Sequence, residues 1–157
     1  MIFDFLWRLR GSVSVAPTTT NEAVLAEVER LLIRQGMFIA RRGPENLSFT
    51  APGAGLTGMN WRAMIMLDRG RFWISQGTKG RRLHYNLRSF NAMMFCLLGA
   101  LMFLAVGLAV GGIARGMAAA ALALLAFCWL YGMNMLLAVI RVSLAIRLAV
   151  RKARRQP

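Results

Sequence analysis

Side chains suited to chemistry are scarce in this chain. It holds six acids against twenty Lys and Arg, a single histidine and two cysteines. Cys96 and Cys128 both fall inside long apolar runs, with no CxxC pair and no His/Cys cluster, so they read as small packing hydrophobes and leave no ligand set for a metal. His84 has Arg82, Leu83 and Tyr85 as sequence neighbours. Without a nearby Cys, Asp or Glu it is expected on the exposed side of a strand. Paired carboxylates in a cleft and a nucleophile beside a base are also missing, so no catalytic residue, metal ligand or cofactor is expected and the chain reads as a non-enzyme. A cleavable signal is not expected either, because residues 1–10 place Asp4, Arg8 and Arg10 where an uninterrupted apolar core would be needed.

Charge is also absent from two long runs, and the rest of the chain is organised around them. Residues 91–114 and 117–140 are each 24 residues long and free of ionisable acids and bases, separated by Arg115 and Gly116. As helices they would each extend roughly 36 Å, enough to cross a hydrocarbon core of roughly 30 Å. A helix satisfies its own backbone polar groups where no water is present, so a transmembrane hairpin is the direct reading. Ionisable groups at membrane depth, the usual mark of a transport path, do not occur in either run.

The net charge of +14 gathers on both sides of this hairpin. Arg71, Lys79, Arg81, Arg82 and Arg88 precede it, and Arg141, Arg147, Arg151, Lys152, Arg154 and Arg155 follow it, against Arg115 alone in the connection. Beside two spans, such basicity is expected to serve the positive-inside bias and anionic lipid or an acidic partner surface, not nucleic acid. Both termini are expected in the cytoplasm, with the hairpin in the inner membrane if the chain is bacterial. Arg81, Arg82 and Arg88, with the six bases after residue 140, are the expected lipid or acidic-partner contacts.

Within the runs, Gly107 and Gly111 form a GxxxG, with Gly99 and Gly132 adding small surfaces. These residues are expected to pack helices closely. Asn134 is the one strongly polar side chain well inside either run, expected to bond across to the other helix or to another subunit.

The water-facing part, residues 18–88, reads as a small α+β domain. Val24, Leu25, Val28, Leu31 and Leu32 recur at helical spacing, predicting an amphipathic helix over about residues 21–35. Thr19 and Glu22 have capping-box spacing, and Gly36 is a natural stop. Glu22, Glu27 and Glu29 are expected on its solvated face. Strand-like segments follow at 37–41, 47–51, 63–67, 72–76 and 82–88, with turns at 43–46 and 68–71. The expected fold is one helix covering an antiparallel sheet of about five strands. Met64 and Met66 are expected to fill its core. Gly53, Gly55 and Gly58 match GxGxxG, yet no parallel strand or helix follows before the membrane, so the loop reads as a linker. Residues 1–10, if helical, are expected either to be an interfacial anchor or to pack on the chain's own domain or on a partner, and residues 11–17 to be a linker with one short strand. Residues 141–157 are a basic cytoplasmic tail, continuing the second span as an amphipathic helix with snorkelling Arg stems.

Two functions fit this pattern. The first is a non-catalytic accessory or structural subunit, its hairpin packed in a larger integral membrane complex or against further copies of the chain. The alternative is a membrane-tethered sensor or regulatory module whose α+β domain binds a ligand or protein.

Overall fold

The computed structural model describes residues 7–51, 64, 66–78, 80–112 and 116–155. The chain is α+β, built on a five-stranded antiparallel sheet. Strands β1 (Arg8–Ser14), β2 (Phe38–Arg42), β3 (Asn46–Thr50), β4 (Arg69–Gly77) and β5 (Gly80–Arg88) pair in the order β1-β5-β4-β3-β2. Three helices accompany them: α1 (Asn21–Arg34), α2 (Phe90–Gly111) and α3 (Gly116–Ala153).

Two of the five strands differ from expectation. Of the two expectations for the N-terminal segment, the described residues after Trp7 follow packing on the chain's own domain and not an interfacial helix: Arg8–Ser14 alternates Leu9, Gly11 and Val13 with Arg8, Arg10 and Ser12, and pairs as an edge strand along β5. Residues 1–6, the rest of the expected anchor, lie outside the described residues. The expected strand at 63–67 is absent among the described residues, where Met64 and Met66 sit in turns and Leu67 has no regular structure. Met64 is nonetheless fully buried, and Met66 is half-buried. Residues 68–71 form no turn, because β4 already runs from Arg69. Gly70 is needed there, since a Cβ would stand 2.5 Å from both Leu87 Cδ2 and Phe49 Cε1.

Helix α1 is capped at Thr20, whose Oγ1 accepts from the Ala23 N–H at 3.2 Å, one position later than the expected Thr19. Thr19 is buried instead, its carbonyl accepting from the Arg81 guanidinium. At the other end Gly36 adopts φ 76°, and the Gly36 and Met37 amides bond back to Ile33 and Leu32 carbonyls in a Schellman stop. Glu27 departs from the expected solvated face. It is fully buried, ion-paired with Arg30 and with Lys152 Nζ at 3.5 Å. Glu29 pairs with Arg42 on β2.

The core explains why Glu27 is covered. Leu47, Phe49, Phe72, Ile74, Leu83, Tyr85 and Leu87 point to one side of the sheet, where Val24, Leu25, Val28 and Leu32 of α1 meet them. So do Val142, Ile146, Ala149, Val150 and Ala153 of α3. Their spacing follows the helical period, so one stripe of α3 faces the sheet. Residues 141–153 of the expected basic tail are therefore the last part of a continuous 38-residue helix and half of the domain's helical layer. Its apolar stripe is occupied by protein, while Arg141, Arg147, Arg151, Arg154 and Arg155 are exposed.

Helices α2 and α3 are long and apolar enough to cross a membrane. Only 11% and 17% of their most apolar stretches are buried, so neither is a core helix along that length. They pack against each other through small residues, with Cys96 and Ala100 of α2 and Ala119, Ala123 and Tyr131 of α3 buried.

Candidate membrane and anionic contact surfaces

The apolar surface is concentrated on α2 and α3. Among the exposed large hydrophobic residues described, only Ile33 and Phe38 lie outside the stretch from Met94 to Leu148. Phe95, Met102, Phe103, Val106, Val110 and Trp129 are each at least 60% exposed. A contiguous belt of this kind exceeds the few hundred Å² that soluble monomers ordinarily leave to water, and marks a membrane or protein contact.

The expected packing glycines divide into two groups. A Cβ on Gly107 would stand 2.7 Å from that of Ala119, so this glycine brings α2 and α3 together within the chain. Gly99 and Gly132 have nothing within 4 Å of an added Cβ and face away from the hairpin seam. Gly111 is half-buried at the last turn of α2, beside Gly112 with φ 65°. Asn134 does not reach across to α2: its Nδ2 donates to the Leu130 carbonyl at 2.8 Å, on its own helix. A side-chain amide finds its nearest acceptor one turn back, satisfying itself locally.

Where the hairpin joins the sheet, several polar and aromatic groups converge. Ser89, fully covered, links β5 to α2; its N–H donates to the Trp7 carbonyl at 2.8 Å and its Oγ lies 3.3 Å from the Tyr131 hydroxyl. Trp7 meets Phe90 edge to face at 6.1 Å, and the Arg88 guanidinium lies 4.7 Å from the Phe90 ring centre. Four residues back along β5, the Tyr85 hydroxyl is 3.3 Å from Ser143 Oγ. These two contacts fix the height of α3 against β5. Tyr131 and Met135 stand level with Ser89, and Ser143 level with Tyr85.

The sheet face turned away from the helices is strongly basic. Its alternate positions carry Arg8 and Arg10 on β1, Arg82 and Arg88 on β5, Arg69 and Arg71 on β4, and Arg41 on β2, with no acid at any of its strand positions. Trp73 stacks on His84 at 5.4 Å in its middle, so the histidine sits on the open strand face that the sequence suggests. A shallow depression of about 410 Å³ beside them is lined by Glu45, Asn46, Arg71, Trp73 and Asn86.

The expected basic contacts fall in different places. Arg88 and Arg82 lie on this open face. Arg81 does not present itself to a partner, because its guanidinium donates to the Ala16 carbonyl at 2.9 Å and to that of Thr19, tying the loop before α1 to β5. Lys152 is engaged with Glu27. Sequence reasoning missed Arg8, Arg10, Arg69 and Arg71 as members of one surface. The signal was present as Arg at alternate positions in 8–10 and 69–71, but strand register was needed to bring them together.

Among the described residues no group of three His, Cys, Asp or Glu is placed to hold a metal. The Gly53, Gly55 and Gly58 loop and Arg115 lie outside the described residues. No protein family, curated protein or solved structure matches the chain.

Proposed function

We propose that this chain is a non-catalytic accessory or structural subunit of a larger integral membrane complex, held by a transmembrane hairpin of α2 and α3. The observation that carries the reading is the apolar belt of the hairpin, continuous on its outer surface and interrupted only by a small-residue seam. From Phe90 to Gly111, and from Gly116 to the level of Met135, each helix extends roughly 30 Å, the thickness of a hydrocarbon core. Ser89, Trp7 and Arg88 then fall at one boundary, the depth that Trp and snorkelling Arg favour. The excess of Lys and Arg on that side orients it, with both termini, toward the cytoplasm. In a bacterium the membrane would be the inner one.

The subunit role rests on the continuity of α3. One helix supplies half of the hairpin and half of the domain's helical layer, so a complex that grips the hairpin also fixes the direction in which the domain points. The outward faces of Gly99 and Gly132 offer close approach to a neighbouring helix. Affinity purification of the full chain in mild detergent tests this. A stoichiometric partner that is lost in the Gly99→Leu/Gly132→Leu double variant is the expected result. A solitary protein that binds a small molecule would instead favour a membrane-tethered sensor and overturn the subunit reading.

A further inference from the structure

The open face of the sheet has a trough along β3. Its outward residues there are Asn46, Ser48 and Thr50, all of them short. Longer side chains stand on both sides: Arg41 on β2 is directly opposite Ser48, while Trp73, Arg71 and Arg69 on β4 are directly opposite Asn46, Ser48 and Thr50. With neighbouring strands about 4.8 Å apart, the β2 and β4 walls are separated by roughly 10 Å. Two depressions occupy the trough, and both are lined by Asn46 and Arg71. One, of about 550 Å³, runs from Arg41 and Ser48 to the turn at Gly43 and Pro44. The other, of about 410 Å³, lies against Trp73 and Asn86. Each is within the roughly 300–1,000 Å³ of small-ligand sites.

The two parts of the trough differ in chemistry. At the level of Ser48, Arg41 and Arg71 are exposed on either side of a hydroxyl, and planar guanidinium groups so placed can each give two hydrogen bonds to one phosphate. The Ser48 hydroxyl is loosely engaged, 3.5 Å from the Arg41 carbonyl, so it can turn to an anion. Arg42, at the same rim, is taken up by Glu29. At the level of Asn46 stands Trp73, its ring within 14° of parallel to that of His84 on the next strand and 5.4 Å from it. That separation is close to the strand spacing, so the rings stand side by side and the other face of Trp73 turns to β3. The Asn46 amide leans toward the turn, its Oδ1 3.1 Å from where a Gly43 Cβ would stand, which leaves room beside that face. Glu45 is the one acid among the described lining residues, and its Oε1 accepts from Asn21 of α1 at 3.4 Å.

We infer that this trough is a binding site for a nucleoside phosphate, its base stacked on Trp73 and its phosphate held by Arg41, Arg71 and Ser48. Trp73 and Arg71 are two residues apart on one face of β4, about 7 Å, a span that one sugar bridges between a base and its phosphate. Asn46 and Asn86 supply amide donors and acceptors for the edge of the base. A bare phosphate or a lipid headgroup would leave the Trp73 face without a partner. A nucleic-acid strand would use several stacking platforms, and Trp73 with His84 is the one stacked pair among the described residues of this face. The site lies wholly on the sheet, so it goes beyond the subunit reading and is independent of what surrounds the hairpin.

Equilibrium dialysis of the full chain in nonionic detergent, with radiolabelled AMP, GMP, CMP and UMP in turn, tests this. The corresponding nucleosides and ribose phosphate are the probes for base and phosphate alone. At least one nucleotide should bind saturably at a single site, about tenfold or more tightly than either of its parts. Trp73→Leu should weaken nucleotide binding about tenfold, to the level of ribose phosphate, whose own binding stays the same. Arg41→Gln/Arg71→Gln should bring it to the level of the nucleoside, whose own binding stays the same. The Arg151→Gln/Arg154→Gln variant removes the same charge elsewhere and should change neither. A circular dichroism melt of each variant separates lost binding from lost folding. If Trp73→Leu does not fold, Trp73→Phe carries the comparison, with a partial loss confined to the nucleotide. Absence of saturable binding for all these nucleotides, ribose phosphate binding as tightly as the nucleotide, or equal loss in the tail variant overturns the proposal. Tighter binding of a single-stranded oligonucleotide than of its mononucleotide overturns it as well, since the ligand would then be a strand.

Discussion

Replacing Ile146 by alanine distinguishes a helix that packs on its own sheet from one that lies on a lipid surface. Ile146 is fully buried among Val142, Val150 and the sheet, while Leu144 and Leu148 on the opposite side are 56% and 53% exposed. Truncating a fully buried Ile costs about 2–5 kcal/mol, through lost transfer energy and the cavity left behind. For a domain of this size each kcal/mol moves the midpoint by about 4–8 °C, so the Ile146→Ala chain should melt roughly 10 °C or more below wild type. Leu144→Ala and Leu148→Ala should each change stability by no more than about 0.5 kcal/mol. Hydrogen exchange of the β4 and β5 amides, measured by mass spectrometry on the full chain in detergent, reads the effect where it is expected and not in the hairpin. Unchanged protection in Ile146→Ala, together with a marked effect of Leu144→Ala or Leu148→Ala, would mean that the other face of the helix is the buried one. The two-layer domain would then be wrong.

Other substitutions probe the remaining contacts. Gly70→Ala forces a Cβ to within 2.5 Å of Leu87 and Phe49 and should destabilise the domain by about 1–3 kcal/mol, seen as a lower thermal midpoint. Gly107→Leu should lower the midpoint of the hairpin in detergent by pushing α2 off Ala119, whereas Gly99→Leu, facing open space, should leave a chain without partners unchanged; equal effects would refute the seam. Glu27→Met should be neutral or stabilising by about 1–4 kcal/mol, because Arg30 and Lys152, with side chains 55% and 52% exposed, simply return to water. Arg30→Ala with Lys152→Ala should instead cost about 3–5 kcal/mol, since it strands a fully buried carboxylate. Denaturant titration of the two variants compares them directly.

Elements whose period is long and whose ends carry turn chemistry were legible in the sequence. The α1 stripe, the Gly36 stop, the 43–46 turn and the alternation of β5 all appear where local pattern places them. Two strands were obscured by residues that locally argue for something else. Arg8–Ser14 follows a cluster of large apolar residues that read equally well as a helix, and Gly70 beside Asp68 imitates a turn. In both cases a tertiary reason overrides the local one. Gly11 lies under Tyr85, where a Cβ would be 2.2 Å from the hydroxyl, and Gly70 lies under Phe49 and Leu87. Each glycine is a hole that a side chain on the neighbouring strand fills, and no single strand's sequence contains that information.

The same limit applies to charge. The sequence presents bases in order along the chain, and by that order Arg81, Arg82 and Arg88 before the hairpin and the six bases after it are the expected contacts for anionic lipid or an acidic partner. Folding reorders them by height. The continuous α3 carries Arg151, Lys152, Arg154 and Arg155 away from the hairpin and spends Lys152 on Glu27, while sheet register gathers Arg8, Arg69 and Arg88, separated by up to 80 positions, into one row beside it. A polyelectrolyte argument from composition would weight all of these equally. With a screening length of about 8 Å, bases carried far along α3 and bases gathered beside the hairpin do not act as one cluster, so strand register and the reach of α3 decide which charges act together.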